Sequence, residues 1–250
     1  MQNNKVEVGC WNSISDVQVV NLLAKSLDFL IIDLEHGFRD FSEFLAAFAS
    51  SRQLCDQVYV RVRKFDDPWI QSLLDLGVSN FVIPQIRTVS ELESFVTATT
   101  FPPEGRRGFH PRAYQNNFSS ETSGSKRINN ERVRICLIIE TRESLKILDE
   151  LCSNLSLDEI YIGVYDLSLE LEITEGIDSP KMLDICREIS HVAQLHSKKI
   201  VAMINGEGST LELQKMGVSK FFVGVDSSIL EDSVLAKAKH ARSFLDLKDA

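Results

Sequence analysis

Short apolar runs alternate along the chain with longer stretches in which apolar residues recur at helical spacing. Alternation of that kind marks repeated βα units feeding a parallel sheet. Eight units are legible. Strands are expected at 6–11, 29–33, 58–62, 81–84, 133–139, 160–163, 200–204 and 221–225, and several are apolar on both faces, as strands covered by helices must be. Helices are expected between and after them at 15–25, 41–52, 67–76, 90–99, 142–151, 180–196, 210–216 and 228–245. Leu76-Gly77-Val78-Ser79-Asn80-Phe81 and Met216-Gly217-Val218-Ser219-Lys220-Phe221 repeat one device, in which a helix stops on a glycine able to turn left-handed and a strand follows at once. The expected fold is a (β/α)8 TIM barrel with a parallel eight-stranded sheet, one domain over residues 1–250. Only the stretch 100–130, rich in Pro, Gly, Arg, Asn and Ser, breaks the pattern and is expected to be a long loop.

Composition narrows the partners. A formal charge of −9 repels phosphate backbones and anionic lipid heads, so nucleic acid and membrane surfaces are poor partners. The first residues lack the basic flank and apolar core of a secretory signal, and no run is long enough to span a bilayer. Five scattered cysteines, Cys10, Cys55, Cys136, Cys152 and Cys186, form no Cys-x-x-Cys pair and are expected to be buried thiols, which suits the cytoplasm.

In such barrels the reactive groups stand where strands end, so polar residues there carry weight. The second strand runs into Asp33-Leu34-Glu35-His36, where the carboxylates either serve chemistry or cap the next helix. Arg61 and Arg63 fall on one side of the third strand. An arginine directed into a barrel requires an anion, either a ligand or a barrel carboxylate such as Asp33. The fifth strand runs into Glu140 and the sixth into Tyr165-Asp166. Two carboxylates at neighbouring strand ends can hold one hard cation, although each alone can also be an N-cap. His191, His196 and His240 fall in helices and read as ordinary side chains, whereas His110 lies in the long loop within reach of a barrel mouth. A Schiff-base mechanism would need a lysine at a strand's carboxyl end; only Lys64 comes close, and Lys199 is at the wrong end of its strand.

Several motifs in order resemble the HpcH/HpaI class II pyruvate-aldolase family over nearly the whole chain. They are Asp33-Leu34-Glu35-His36, Arg61 followed by Asp75 in Leu73-Leu74-Asp75-Leu76-Gly77, and Pro102-Pro103-Glu104-Gly105-Arg106-Arg107-Gly108. Further along come Glu140-Thr141-Arg142-Glu143, Ile162-Gly163 with Asp166-Leu167-Ser168, and Val223-Gly224-Val225-Asp226. The resemblance implies a divalent cation, Mg2+, Mn2+ or a similar ion such as Co2+, on Glu140 and Asp166. A 2-oxo acid would complete its coordination and an aldehyde would be the second reactant. It implies that Arg61 stabilises an enolate oxygen, that His36 moves protons at the aldol hydroxyl, and that Asp33 and Asp75 orient or tune the site. The turn Gly163-Val164-Tyr165 would receive the substrate carboxylate. A homo-oligomer, a hexamer built as a trimer of dimers, is implied as well. The apolar residues Ile229, Leu230, Val234, Leu235, Ala238 and Leu245 of the last helix would supply the contact, or would cover their own barrel. Two positions depart from the family: Ile138 stands where glutamine is common, and Val164-Tyr165 where Pro-Ala is common. They motivate a second reading, a 2-oxo acid binding or regulatory protein that has lost turnover; separately, a related citryl- or malyl-CoA-type lyase would keep the barrel and metal but cleave a different carbon–carbon bond.

Overall fold

The computed structural model describes residues 5–38, 40–114 and 132–245. Eight parallel strands close into a barrel in chain order, each hydrogen-bonded to the next and the last to the first. The order is β1 (Glu7–Asn12), α1 (Val17–Ser26), β2 (Phe29–Asp33), α2 (Phe41–Ser51), β3 (Val58–Arg61), α3 (Ile70–Asp75), β4 (Asn80–Ile83) and α4 (Val89–Thr99). It continues with β5 (Arg134–Ile139), α5 (Arg142–Lys146), α6 (Leu148–Ser153), β6 (Glu159–Ile162), α7 (Val164–Glu170), α8 (Pro180–Leu195), β7 (Lys199–Met203), α9 (Glu207–Lys215), β8 (Lys220–Val225) and α10 (Asp226–Phe244).

The period-two alternation of the strands sorts the core into two layers. Leu30, Ile32, Val60, Leu137, Ile139, Ile160, Ile162 and Ala202 point outward and pack beneath the helices. Phe29, Ile31, Tyr59, Cys136, Ile138, Tyr161, Val201, Met203 and Phe222 fill the barrel interior with Trp11 and Val82. Extending the inner row by two residues beyond Ile31, Tyr59 and Ile138 reaches Asp33, Arg61 and Glu140, so the pleat that packs the core also delivers three charged groups to the mouth.

Helix ends follow local chemistry. Asp16 and Asp40 accept the first amide N–H groups of α1 and α2, and Thr88 and Glu91 form a capping box on α4. Gly77 and Gly217 both have φ of +87°, the left-handed stop expected of the repeated device. All five cysteines are buried and free.

The structure corrects three expectations. The helix expected over 142–151 is two, because the backbone leaves helical geometry at Ile147 (φ −106°, ψ 20°). The sixth strand stops at Ile162, and Val164, Tyr165 and Asp166 open a short helix that the apolar pattern did not announce. Strand β3 ends at Arg61, so Arg63 departs from the inner row; its guanidinium lies on Asp67 at 2.7 Å and over the Trp69 ring at 4.3 Å. Much of the loop expected over 100–130 lies outside the described residues, while its first part anchors Phe101, Arg107 and Ala113 in buried positions.

The opposite end of the barrel is sealed by charge. Lys220, 1% exposed, donates to the Tyr59 hydroxyl at 2.6 Å, to Gln57 at 2.8 Å and to Glu159 at 3.0 Å. Tyr59 in turn donates to Glu159 and receives Arg134, and burial holds its phenol far above the usual range. Each member finds partners, as buried charges must.

Candidate active site

Asp33 and Arg61 are paired across β2 and β3 as direct register partners. Arg61 Nε donates to Asp33 Oδ1 at 2.8 Å, a terminal nitrogen donates to Oδ2, and the other lies 2.9 Å from Glu35 Oε2. The guanidinium also sits 4.6 Å from the Trp11 ring centroid. Burial favours loss of its proton, but Asp33, Glu35 and Glu140 outweigh that and raise its pKa. Of the two roles left open for this arginine, the carboxylate partner is present. A face of the group still lines the cavities described below.

Asp33 does not cap a helix. Its Oδ1 accepts the amides of Glu35 and His36 at 2.9 and 3.2 Å, shaping the turn that carries His36, while Asp40 caps α2. His36 is largely exposed, with Nε2 at 3.8 Å from Glu35 Oε2. The Glu35 carboxyl is held above the usual range, mainly by burial and against the pull of Arg61.

Glu140, directly after β5, is 6% exposed and accepts the Gln85 amide N–H at 2.7 Å. Burial pushes its carboxyl up to about 7; the Gln85 amide opposes this, and the charges of Asp166 and Glu35 add to it. Asp166 stands in the first turn of α7, with Gly163 as the N-cap residue. A methyl group added at Gly163 would meet Glu140 Cβ at 2.8 Å and Ile138 Cγ2 at 2.9 Å, so only glycine leaves Glu140 room here. Gly163 spends its own N–H on the Ile139 carbonyl.

These groups open on two adjoining cavities of about 400 and 390 Å3. His36, Arg61, Glu140 and Asp166 line both. The first continues over Gln85, Arg87, Thr141 and Glu170 and is polar, with Arg87 ion-paired to Glu143. The second continues over Trp11, Ile138, Tyr161, Tyr165 and Met203 and is mostly apolar. Asp33, Gly163 and Tyr165 line the second, whereas the Val164 side chain lines neither cavity and is buried in the outer core layer. Asp75 is not brought to either cavity; it ends α3, accepts from Gln71 at 3.1 Å and lies near Arg107. His110 lines neither cavity, Lys64 pairs with Asp66 at the surface, and His196 with Asp149. Gln85 and Arg87 escaped the reading of the sequence; their place just past the end of β4 was the available signal.

The HpcH/HpaI aldolase/citrate lyase model matches residues 8–242. The chain belongs to the HpcH/HpaI aldolase/citrate lyase family. Family and relatives' names make it an aldolase, a lyase of carbon–carbon bonds. The 5-keto-4-deoxy-D-glucarate aldolases of Shigella sonnei and Escherichia coli O6:H1 are each 26% identical over 230 residues, covering 92% of this chain and 90% of theirs. Among solved structures, the citrate synthase SbnG is similar at a TM-score of 0.83 and 22% identity, over 98% of this chain and 96% of that one. An HpcH/HpaI family protein from Burkholderia cenocepacia J2315 aligns at 0.84 and 20% identity, over 96% of both chains. At those identities the structures speak for the fold alone.

Proposed function

We propose that this chain is a single-domain, divalent-metal-dependent aldolase that cleaves or forms a carbon–carbon bond through the enolate of a pyruvate-like 2-oxo acid. The observation that supports it best is the convergence of Glu140, Asp166, Arg61 and His36 on shared cavities at the carboxyl ends of the strands.

The donor set fits a hard cation such as Mg2+ or Mn2+: two carboxylates face each other's charge, and Gly163 keeps the space beside Glu140 open. Among the described residues no three His, Cys, Asp or Glu side chains gather as a metal site, so Glu140 and Asp166 would hold such an ion as a pair. Such an ion supplies Lewis acidity to the ketone and a seat for the 2-oxo acid. The chain's own residues do the rest. The Val164 and Tyr165 amides, in the unpaired first turn of α7, receive the substrate carboxylate. Arg61, fixed in advance by Asp33, lowers the charge that develops on the enolate oxygen. His36, at the exposed side of the mouth, takes and returns the proton of the aldol hydroxyl. The polar cavity suits a hydroxylated aldehyde.

No helix among the described residues is long and apolar enough to cross a membrane; we place the protein in the cytoplasm. We also read it as a homo-oligomer. Ile229 packs partly against the barrel's own core, while Leu230, Val234, Leu235 and Phe244 are each more than half exposed, so most of the stripe does not cover its own barrel.

The test is exchange of the C3 protons of pyruvate and 2-oxobutyrate in deuterated buffer with added Mn2+. Exchange that vanishes with chelator supports the reading; tight binding of the acids without exchange favours a sensor. His36→Ala should impair aldol cleavage more than exchange, and Arg61→Ala should damage both.

A further inference from the structure

Gln85 follows β4 with φ of +55°, a left-handed conformation that residues with side chains rarely adopt. Its neighbours leave it little freedom. Pro84 and Ile86 are buried, and the Thr141 hydroxyl donates to the Ile86 carbonyl at 3.3 Å. In that conformation the residue spends both of its donors across the mouth. The backbone N–H reaches Glu140 Oε1 at 2.7 Å, and the side-chain amide reaches Glu35 Oε1 at 2.8 Å. The other oxygen of Glu35 lies 2.9 Å from Arg61 and 3.8 Å from His36. A single residue thus joins the carboxylate on the cation side to the two groups on the proton side. Unusual backbone held by converging contacts is found where a site is pre-organised.

We propose that Gln85 is a positioning residue: acting through Glu35, it sets Arg61 and His36 at a fixed separation from Glu140. The chemistry calls for a neutral donor of this length. Glutamate would repel both carboxylates, a cation would compete with the metal for Glu140, and asparagine is one methylene short of Glu35. The proposal rests on the aldolase reading for its effect on turnover but not for its effect on metal affinity.

The side chain is exposed to the mouth, so replacing it opens no hole in the core. Gln85→Ala removes the Glu35 tether from the left-handed backbone whose N–H Glu140 accepts, and by loosening that N–H should weaken Mn2+ binding to the substrate-free chain by about tenfold in calorimetry, the scale seen when support of a metal ligand is lost. Turnover in aldol cleavage should fall about as far, with KM for the 2-oxo acid within about threefold of the parent. Gln85→Gly relieves the left-handed strain, so its melting temperature should match or exceed that of the parent while turnover still falls; this separates positioning from folding. In a Glu35→Ala background, Gln85→Ala should cost little more turnover, because the side chain acts through Glu35. Unchanged Mn2+ affinity in Gln85→Ala, or additive losses in the double variant, overturns the proposal. A parent chain that binds Mn2+ but acts on no 2-oxo acid defeats the aldolase reading, and the affinity measurement still decides the role of Gln85.

Discussion

The Arg61 guanidinium is gripped on one edge by the Asp33 carboxylate, its register partner on the neighbouring strand, through two parallel hydrogen bonds. That grip fixes the aim of Arg61 and offsets the burial of its charge. Asp33→Asn keeps the size but leaves a buried guanidinium with Glu35 as its remaining close anion, and should cost about 3 kcal/mol of stability by urea unfolding. Arg61→Lys should not rescue turnover, since an ammonium cannot reproduce the bidentate fit.

Glu140→Gln and Asp166→Asn should each reduce Mn2+ affinity at least tenfold by calorimetry, because each removes one of two protein carboxylates. Without metal, Glu140→Gln should melt no lower than the parent. The carboxylate it replaces is buried and repelled by Asp166, so the amide relieves an unfavourable charge.

Tyr165 is 52% exposed and lines the apolar cavity, so its ring is not part of the packed core. Tyr165→Ala should therefore leave the melting temperature within a few degrees of the parent, as is typical for about half-exposed surface positions. The exchange rate of 2-oxobutyrate relative to pyruvate should rise. An unchanged ratio removes Tyr165 from donor selection.

The exposed stripe on α10 predicts association at micromolar concentration, measured as a mass above that of one chain by light scattering. Leu230→Glu with Val234→Glu should lower that mass, since an ionised side chain is not buried without a partner. A monomeric parent rejects the oligomer.

Asp67 offers a pH test away from the chemistry. Burial raises its carboxyl, but the Arg63 side chain and the Trp69 and Arg63 amides more than offset this and hold it below the usual range. A depressed carboxylate stabilises the fold above its unfolded value and loses that contribution as pH falls through the lower folded value. Asp67→Asn should cost about 2 kcal/mol at neutral pH. The gap to the parent should narrow in unfolding curves taken at acid pH.

The barrel was legible because its strands are short apolar runs and its helices carry a 3.6-residue period; the two glycine stops even marked where strands begin. Asp33, Arg61, Glu140 and Asp166 were legible because strand ends are easy to find and charge is rare there. Helix α7 was not, since seven residues that include Asp166 and Glu170 show no stripe. Gln85 was invisible for a different reason: its importance lies in a backbone angle and two hydrogen bonds to residues 50 and 55 positions away. The Lys220–Glu159–Tyr59 cluster likewise needs closure of the barrel to bring its members together.

That cluster bears on traffic. With Lys220, Glu159 and Tyr59 locked across the floor, the described residues close that end of the barrel, and on the proposed chemistry both reactants would pass through the other. On the proposed chemistry a 2-oxo acid beside the buried Glu140 would lie deeper than an aldehyde at His36, which is open to solvent. In the direction of synthesis such an acid would enter first; in cleavage the aldehyde would depart first, and the acid, last out, would compete with the next substrate for an occupied room.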